Sequence, residues 1–345
     1  MLIPSTMKAG IYFRKDDVRV VQRPVPAIGE NEILVQVFVC GICGSDIMQW
    51  YREPPARANG GINTGHEIAG LIVEAGAAAG EHKVGDRVVV VHHFPCLNCT
   101  PCREGNETAC EAMKEKHIEP GGFSQYVRVF GKGVANGLYP LPEGMSYEQA
   151  SFVEPLGCVV RSVRKMQPLN CHTVMVLGSG LAGLLHIKLA RHLGAKRIYA
   201  VDASESRLEA AARCGADEMI STGGCLPLAD RVFVCTGSEK AAQTALDSVA
   251  RGGRILYFAA DGPDKMLSVN LTKFWIAQPS IGFSYGAAPR DLRESMELIS
   301  SGKICVDDLV THRFALDQMA EAFDLAANPR GGSLKVIIEP NGNNP

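Results

Sequence analysis

Net charge is almost absent from this 345-residue chain, where 35 basic and 37 acidic side chains leave a formal −2. The Lys/Arg clusters are short and interrupted, so no long-range field exists to draw in nucleic acid or an anionic membrane. Long apolar runs are missing too, and none reaches the roughly 18 residues that a membrane-spanning helix needs. The opening Met1–Met7 is too short and too polar for a signal peptide, which points to the cytoplasm. Internal repeats are absent, and low-complexity sequence is confined to Asn341–Pro345. What remains is a globular protein.

Cysteine, by contrast, is plentiful, with 12 in the chain. In a long chain without an export signal that count argues against a disulfide framework. Cys96, Cys99, Cys102 and Cys110 spell C-x2-C-x2-C-x7-C. Four thiolates on one loop wrap a tetrahedral ion, and zinc prefers such a closed shell, which leaves no position for substrate. The loop reads as a structural zinc site. An iron–sulfur cluster, also held by four cysteines, is the competing metal.

A chain of this length that is 46% hydrophobic fits about two domains. Residues up to about 155 are rich in Val, Ile and Gly, with short strands expected over 33–39, 68–74, 87–91 and 124–129. Strand and helix then alternate. Strands are expected over 173–177, 197–201, 218–221, 232–235 and 255–258, and glycine-stopped helices over 181–193 and 205–214. This is the rhythm of a parallel sheet with helical crossovers. The tail holds helices over 289–300 and 316–327 and a strand over 334–338, too little for a domain of its own.

Gly178-Ser179-Gly180-Leu181-Ala182-Gly183 is G-x-G-x-x-G, set between an expected strand and an expected helix. In that context the glycines allow a tight turn and let a pyrophosphate approach the helix N-terminus. Asp202 ends the next strand about twenty residues on. A carboxylate there accepts both adenosine ribose hydroxyls and repels the extra phosphate of NADP, which favours NAD.

Three separated features call for one explanation: Cys43 with Ser45 and Asp46, then His66-Glu67, then Glu154-Pro155. Each is weak alone, since a lone Cys or His is most often a satisfied core residue and Glu before Pro a solvated one. Together they supply a thiolate, an imidazole and up to two carboxylates. A catalytic zinc takes about three mixed ligands and keeps one position open, where it polarises an alcohol oxygen. Ser45, two residues past Cys43, is placed to accept the alcohol's proton.

In these residues the chain resembles the zinc-containing medium-chain dehydrogenase/reductase family, in its polyol branch of sorbitol, idonate, threonine and butanediol dehydrogenases. Cys43-Gly-Ser-Asp46, Gly65-His-Glu67, Gly85-Asp-Arg87, the four-cysteine loop, Gly121-Gly-Phe123 and Glu154-Pro-Leu156 match in order, over essentially the whole chain. The resemblance implies an α/β protein with a GroES-like catalytic domain over 1–156, a Rossmann doubly wound domain over 157–285, and a segment over 286–345 returning to the catalytic domain. It implies Cys43, His66 and Glu67 as catalytic zinc ligands, Glu154 as a direct or water-mediated one, and Ser45 as proton relay. It places Arg207 at the adenosine end, and Phe258, Ala259, Ala260, Phe283, Ser284 and Tyr285 along the nicotinamide side. A homodimer or homotetramer using NAD and two zinc ions per chain follows.

Three departures narrow the substrate. The branch's relay His is Met48 here, which cannot titrate, so protons must leave through water, cofactor hydroxyls, His92 or His93. Its Phe-Arg-Tyr reads Phe283-Ser284-Tyr285, and Gln49 replaces a Tyr, which argues against sorbitol itself. The stretch 222–230 is too short for the usual crossover helix. Arg52 and Arg57 read as solvated charges on a mobile loop over 50–63. A secondary alcohol or ketone of the polyol, cyclitol, sugar-acid or amino-alcohol kind is expected. A zinc-free quinone or enone reductase of the same fold, and a non-catalytic nucleotide-binding relative, stand as rivals.

Overall fold

The computed structural model describes residues 2–260 and 262–342, so the last three positions of the Asn341–Pro345 tract lie outside the described residues. The chain divides into two compact units. One comprises Met1–Pro155, Ala288–Ser300 and Cys305–Pro345, and the other Leu156–Ala287 with Ser301–Ile304.

The first unit opens with an antiparallel hairpin, Thr6–Arg14 (β1) and Asp17–Pro24 (β2). Next comes Ile33–Gly41 (β3), in which all nine residues are buried. A strand so covered on both faces can afford no charge, and β3 has none. It is followed by a helix, Gln49–Ala58 (α1), and the strands Glu67–Ala75 (β4), Arg87–Val90 (β5), Ile118–Glu119 (β6), Tyr126–Val129 (β7) and Leu138–Pro140 (β8). One flank of β3 pairs with β4 along its whole length. On its other flank β7 takes Ile33–Gln36, leaving the far end of β3 open for a partner from elsewhere in the chain.

The second unit holds most of helix Val153–Met166 (α2) and a six-stranded sheet. Its strands are Thr173–Leu177 (β9), Arg197–Asp202 (β10), Glu218–Ser221 (β11), Ala229–Val234 (β12), Val249–Tyr257 (β13) and Ser280–Phe283 (β14), ordered β11-β10-β9-β12-β13-β14 and all parallel. Helices Leu181–His192 (α3), Glu205–Arg213 (α4), Glu239–Ser248 (α5) and Leu271–Ala277 (α6) make four of the crossovers. The fifth, from β11 to β12, has no helix, in keeping with its short sequence. Strand order reverses between β9 and β12, the place where open α/β sheets bind ligands beyond their carboxyl ends.

The tail adds Pro289–Ser300 (α7), Val310–Ala315 (β15), Met319–Ala327 (α8) and Lys335–Glu339 (β16). Strand β16 pairs with the vacant end of β3, Ile338 opposite Cys40 and Ile337 opposite Gly41. Met319 and Phe323 of α8 enter the same core as Tyr12 and Phe123, with Phe123 and Phe323 edge to face at 5.4 Å. Rings buried this fully contribute on the order of 2 kcal/mol each.

Candidate active site

The end of β3 and the start of β4 lie side by side, with Gly41 opposite Glu67. Cys43 follows two residues past Gly41, and His66 precedes β4 by one, so the register alone draws the three side chains to one spot. One ligand atom each from Cys43, His66 and Glu67 lies within 4.8 Å of the others. His66 and Glu67 are buried and Cys43 is partly so. Gly41 is required for this closeness, since a Cβ there would strike the Glu67 carboxylate and the Lys335 amine. Glu154 sits half-buried in the first turn of α2 and does not join the group.

The Glu67 carboxylate is divided. Oε2 accepts from the fully buried Lys335 ammonium, while buried Oε1 has no hydrogen-bond partner. An orphaned buried oxygen costs on the order of 1–3 kcal/mol. A cation bound beside the thiol and imidazole would remove that cost, and a mixed S, N and O set suits zinc. The residues present therefore fit a catalytic zinc.

Asp46 organises the group, a role that sequence reasoning left unassigned. It is fully buried in a 3₁₀ turn, Gly44–Asp46. Its carboxylate accepts from the Cys43 backbone N–H at 3.1 Å and lies 3.5 Å from His66 Nδ1 and 3.1 Å from Arg52. Burial alone would raise its pKa, yet His66 and Arg52 hold it below the ordinary carboxylate range. For His66 burial pulls downward, and the Asp46 carboxylate outweighs it and raises the pKa well above the usual value. A carboxylate on Nδ1 leaves Nε2 for metal and fixes the tautomer.

Arg52 corrects the expectation of a mobile loop. Residues 49–58 form helix α1 despite Pro54 and Pro55 within it. Arg52 Nε donates to the Ser45 carbonyl at 2.8 Å, and its NH2 group reaches Ser45 Oγ at 3.4 Å. Arg57 does behave as a surface charge, paired with Glu53 one turn back. His92 and His93 follow β5 with rings 3.7 Å apart, and His92 lies 5.0 Å from His66. Burial lowers both, His93 to about 4, so both are neutral near pH 7.

The four-cysteine loop also closes, with all four Sγ atoms within 4.8 Å of one another. Backbone N–H groups of Asn98 and Cys99 point at Cys96 Sγ, at 3.5 and 3.3 Å, and lower its pKa to about 6. The Cys96 N–H donates to Cys110 Sγ at 3.3 Å. Thiolates pre-solvated by amides, with no oxygen or nitrogen ligand among them, fit a closed zinc shell.

In the second unit, Gly178 follows β9 and Gly180 caps α3. A Cβ on Gly183 would collide with the Gly178 carbonyl, so glycine sets how tightly the turn folds on α3. Ala182 lies in the first turn of that helix. Asp202 ends β10, buried, accepting from the Ser179 N–H at 2.7 Å and the Ser204 N–H at 2.9 Å. The Ser179 bond ties its carboxylate to the glycine turn, and the Ser204 bond ties it to the start of α4. Arg207 is half-buried on α4. Phe258 and Ala259 follow β13, both N–H groups on the Val234 carbonyl, with Ala260 exposed beyond them. Ser284 is buried between exposed Phe283 and Tyr285. Unforeseen is His186, which lies fully buried behind the glycine turn. It touches the Ala182 carbonyl at 2.7 Å and Ser162 Oγ at 2.5 Å, and burial lowers it to about 4.

Comparison with known proteins follows the same division. Residues 29–143 match the alcohol dehydrogenase GroES-like domain, and residues 182–301 the zinc-binding dehydrogenase family. The chain is 29% identical to sorbitol dehydrogenase of Bacillus subtilis, across 98% of this chain and 99% of that one. It is 30% identical to L-threonine 3-dehydrogenase of Bacillus velezensis, across 92% and 94%. The crystal structure of 2R,3R-butanediol dehydrogenase from Bacillus subtilis superposes with a TM-score of 0.83 at 26% identity, across 97% of this chain and 100% of that one.

Proposed function

The chain belongs to the zinc-containing medium-chain dehydrogenase family, in its polyol branch, and from that premise we propose that it interconverts a secondary alcohol and its ketone with NAD. One observation carries the reading: a thiol, an imidazole and a carboxylate within 4.8 Å, the carboxylate keeping one buried oxygen unpartnered. Zinc bound there supplies Lewis acidity toward an alcohol or ketone oxygen, and NAD supplies the hydride acceptor.

The protein's own side chains do the rest. Cys43, His66 and Glu67 would hold the ion, with Glu154 beside it as a direct or water-mediated ligand. Asp46 keeps His66 in the tautomer that presents Nε2. Ser45 Oγ takes the alcohol's proton as it passes its own onward, and Arg52, which donates to the Ser45 carbonyl and lies 3.4 Å from Oγ, fixes that hydroxyl in place. Neutral His92 and His93, each with an unpartnered Nδ1, stand next in line where Met48 offers no titrating group. Asp202 takes the ribose hydroxyls and disfavours NADP.

The substrate class is a polyol, cyclitol, sugar acid or amino alcohol, as relatives acting on sorbitol and threonine suggest. We assign a homo-oligomer joined at β14, the sheet's outer strand, and at helix α6 before it, where Ile281 of the strand and Leu271, Trp275 and Ile276 of the helix are exposed. No helix among the described residues is long and apolar enough to cross a membrane. Two thiolate metal sites need reduced cysteines, which suits the cytoplasm. The test is Glu67→Ala, assayed for NAD reduction against a panel of secondary alcohols. Loss of turnover with cofactor binding kept is expected, and full turnover would remove Glu67 from the site.

A further inference from the structure

Lys335 opens β16 and is fully buried. Its ammonium contacts Glu67 Oε2, lies 3.5 Å from the Ile42 carbonyl, and stands 5.6 Å over the Phe152 ring. Folding alone gives no reason to bury it. Extracting an ammonium and a carboxylate from water costs several kcal/mol per ion, and an apolar pair of the same shape serves a core as well or better. The pairing nevertheless shapes everything around it, down to the missing side chain at Gly41.

Charge explains what the pair can do. A divalent ion facing one thiolate and one carboxylate keeps no net charge and pulls weakly on an alcohol oxygen. An ammonium on that carboxylate restores one positive charge to the group. It also occupies one of the two carboxylate oxygens, so that only Oε1 faces the thiol and imidazole.

We propose that Lys335 is a positioning residue for the catalytic metal: it holds Glu67 as a one-oxygen, charge-compensated ligand, weak enough to yield its place to substrate. This rests on the reading of Glu67 as a ligand. The geometry is unusual to reach by chance, because Lys335 and Glu67 are 268 residues apart and meet only through the pairing of β16 with β3.

The test uses the full-length protein with its four-cysteine loop loaded with zinc. Cobalt and zinc affinities of the other site are measured by chelator competition for wild type, K335M, K335R and E67Q. K335M should bind zinc at least tenfold more tightly, because a buried anion is left seeking a cation. Its cobalt visible bands should weaken as the second oxygen joins the metal, and kcat should fall. K335R should stay within threefold of wild type in affinity and keep its spectrum. Unchanged or weaker zinc binding in K335M, with an unmoved cobalt spectrum, would overturn the proposal. Should K335M fail to fold, K335Q takes its place, which keeps a hydrogen-bond donor beside Glu67 without the charge. Tighter zinc binding in K335Q than in wild type supports the role, and no change overturns it. E67Q with wild-type affinity and spectrum would sink the ligand reading itself, whereas an altered E67Q beside an unaltered K335M sinks only the role of Lys335.

Discussion

The two metal groupings of the first unit are built in opposite ways. Cys96, Cys99, Cys102 and Cys110 come from one loop and need only local turns and amide N–H groups to converge. Cys43, His66 and Glu67 come from the ends of two paired strands, and the group is completed by Asp46 and by a lysine near the C-terminus. The loop spends every donor on the ion. The dispersed group keeps a hydroxyl, a guanidinium and two neutral imidazoles beside its ligands, as a site that handles protons must. A local shell stabilises, and a shell assembled by topology can be tuned from outside.

The comparison breaks most visibly by removing one ligand from each. Cys43→Ala should lower NAD-dependent turnover by about 10³-fold or more while leaving the melting temperature nearly unchanged. Cys99→Ser should do the reverse, lowering the melting temperature by more than about 5 °C and sparing turnover per folded molecule. Steady-state rates and thermal melts on the same preparations check both, and equal losses of both properties in each variant would erase the contrast.

Metal loading sharpens it. In the metal-free chain His66 is protonated more readily than an ordinary histidine because of Asp46, so zinc must displace that proton. Zinc affinity at the Cys43 group should therefore rise steeply with pH across the neutral range. Affinity at the loop should rise more steeply still, because four thiols must lose protons there and, although amide N–H groups lower Cys96 to about 6, burial pushes Cys102 up to about 12. Chelator competition between pH 6 and pH 8 reads the two slopes. Smaller effects belong to the nucleotide unit. Asp202→Ala should cut discrimination against NADP by roughly 100-fold, the scale of relieving like-charge repulsion, as measured by kcat/KM for each cofactor.

His186 yields the last contrast. Its folded pKa of about 4 is below the usual histidine value, so the unfolded chain binds the extra proton between about pH 6.5 and pH 4. Stability is therefore whole above pH 6.5 and falls as the solution is acidified through that window, by about 3 kcal/mol. Denaturant melts of His186→Gln against wild type across that range should show a shallower acid slope in the variant.

Much of this architecture was legible in the residue order. Glycines at 178, 180 and 183, the cysteine spacing and the His66-Glu67 pair carry their chemistry in local pattern. The β-strands of the nucleotide unit announce themselves as short apolar runs. Helix α1 did not, because Pro54 and Pro55 remove two N–H donors and look like loop residues, while Arg52 and the Glu53–Arg57 pair hold the turns together. The β1–β2 hairpin is masked by charged residues on its open face. Asp46 stood in plain view within the Cys43 motif, though only its contact with His66 reveals its work. Lys335 had no signal at all: a lysine starting a strand is ordinary until β16 is seen to lie against β3.

The most direct measurement of the central claim is zinc content per chain in wild type, His66→Ala and Cys99→Ser, taken alongside turnover. Two zinc ions in the wild type are expected. His66→Ala should keep one and be inactive, and Cys99→Ser should keep one and be active in whatever fraction folds. A wild type with a single zinc, or a His66→Ala protein that retains both, would contradict the account.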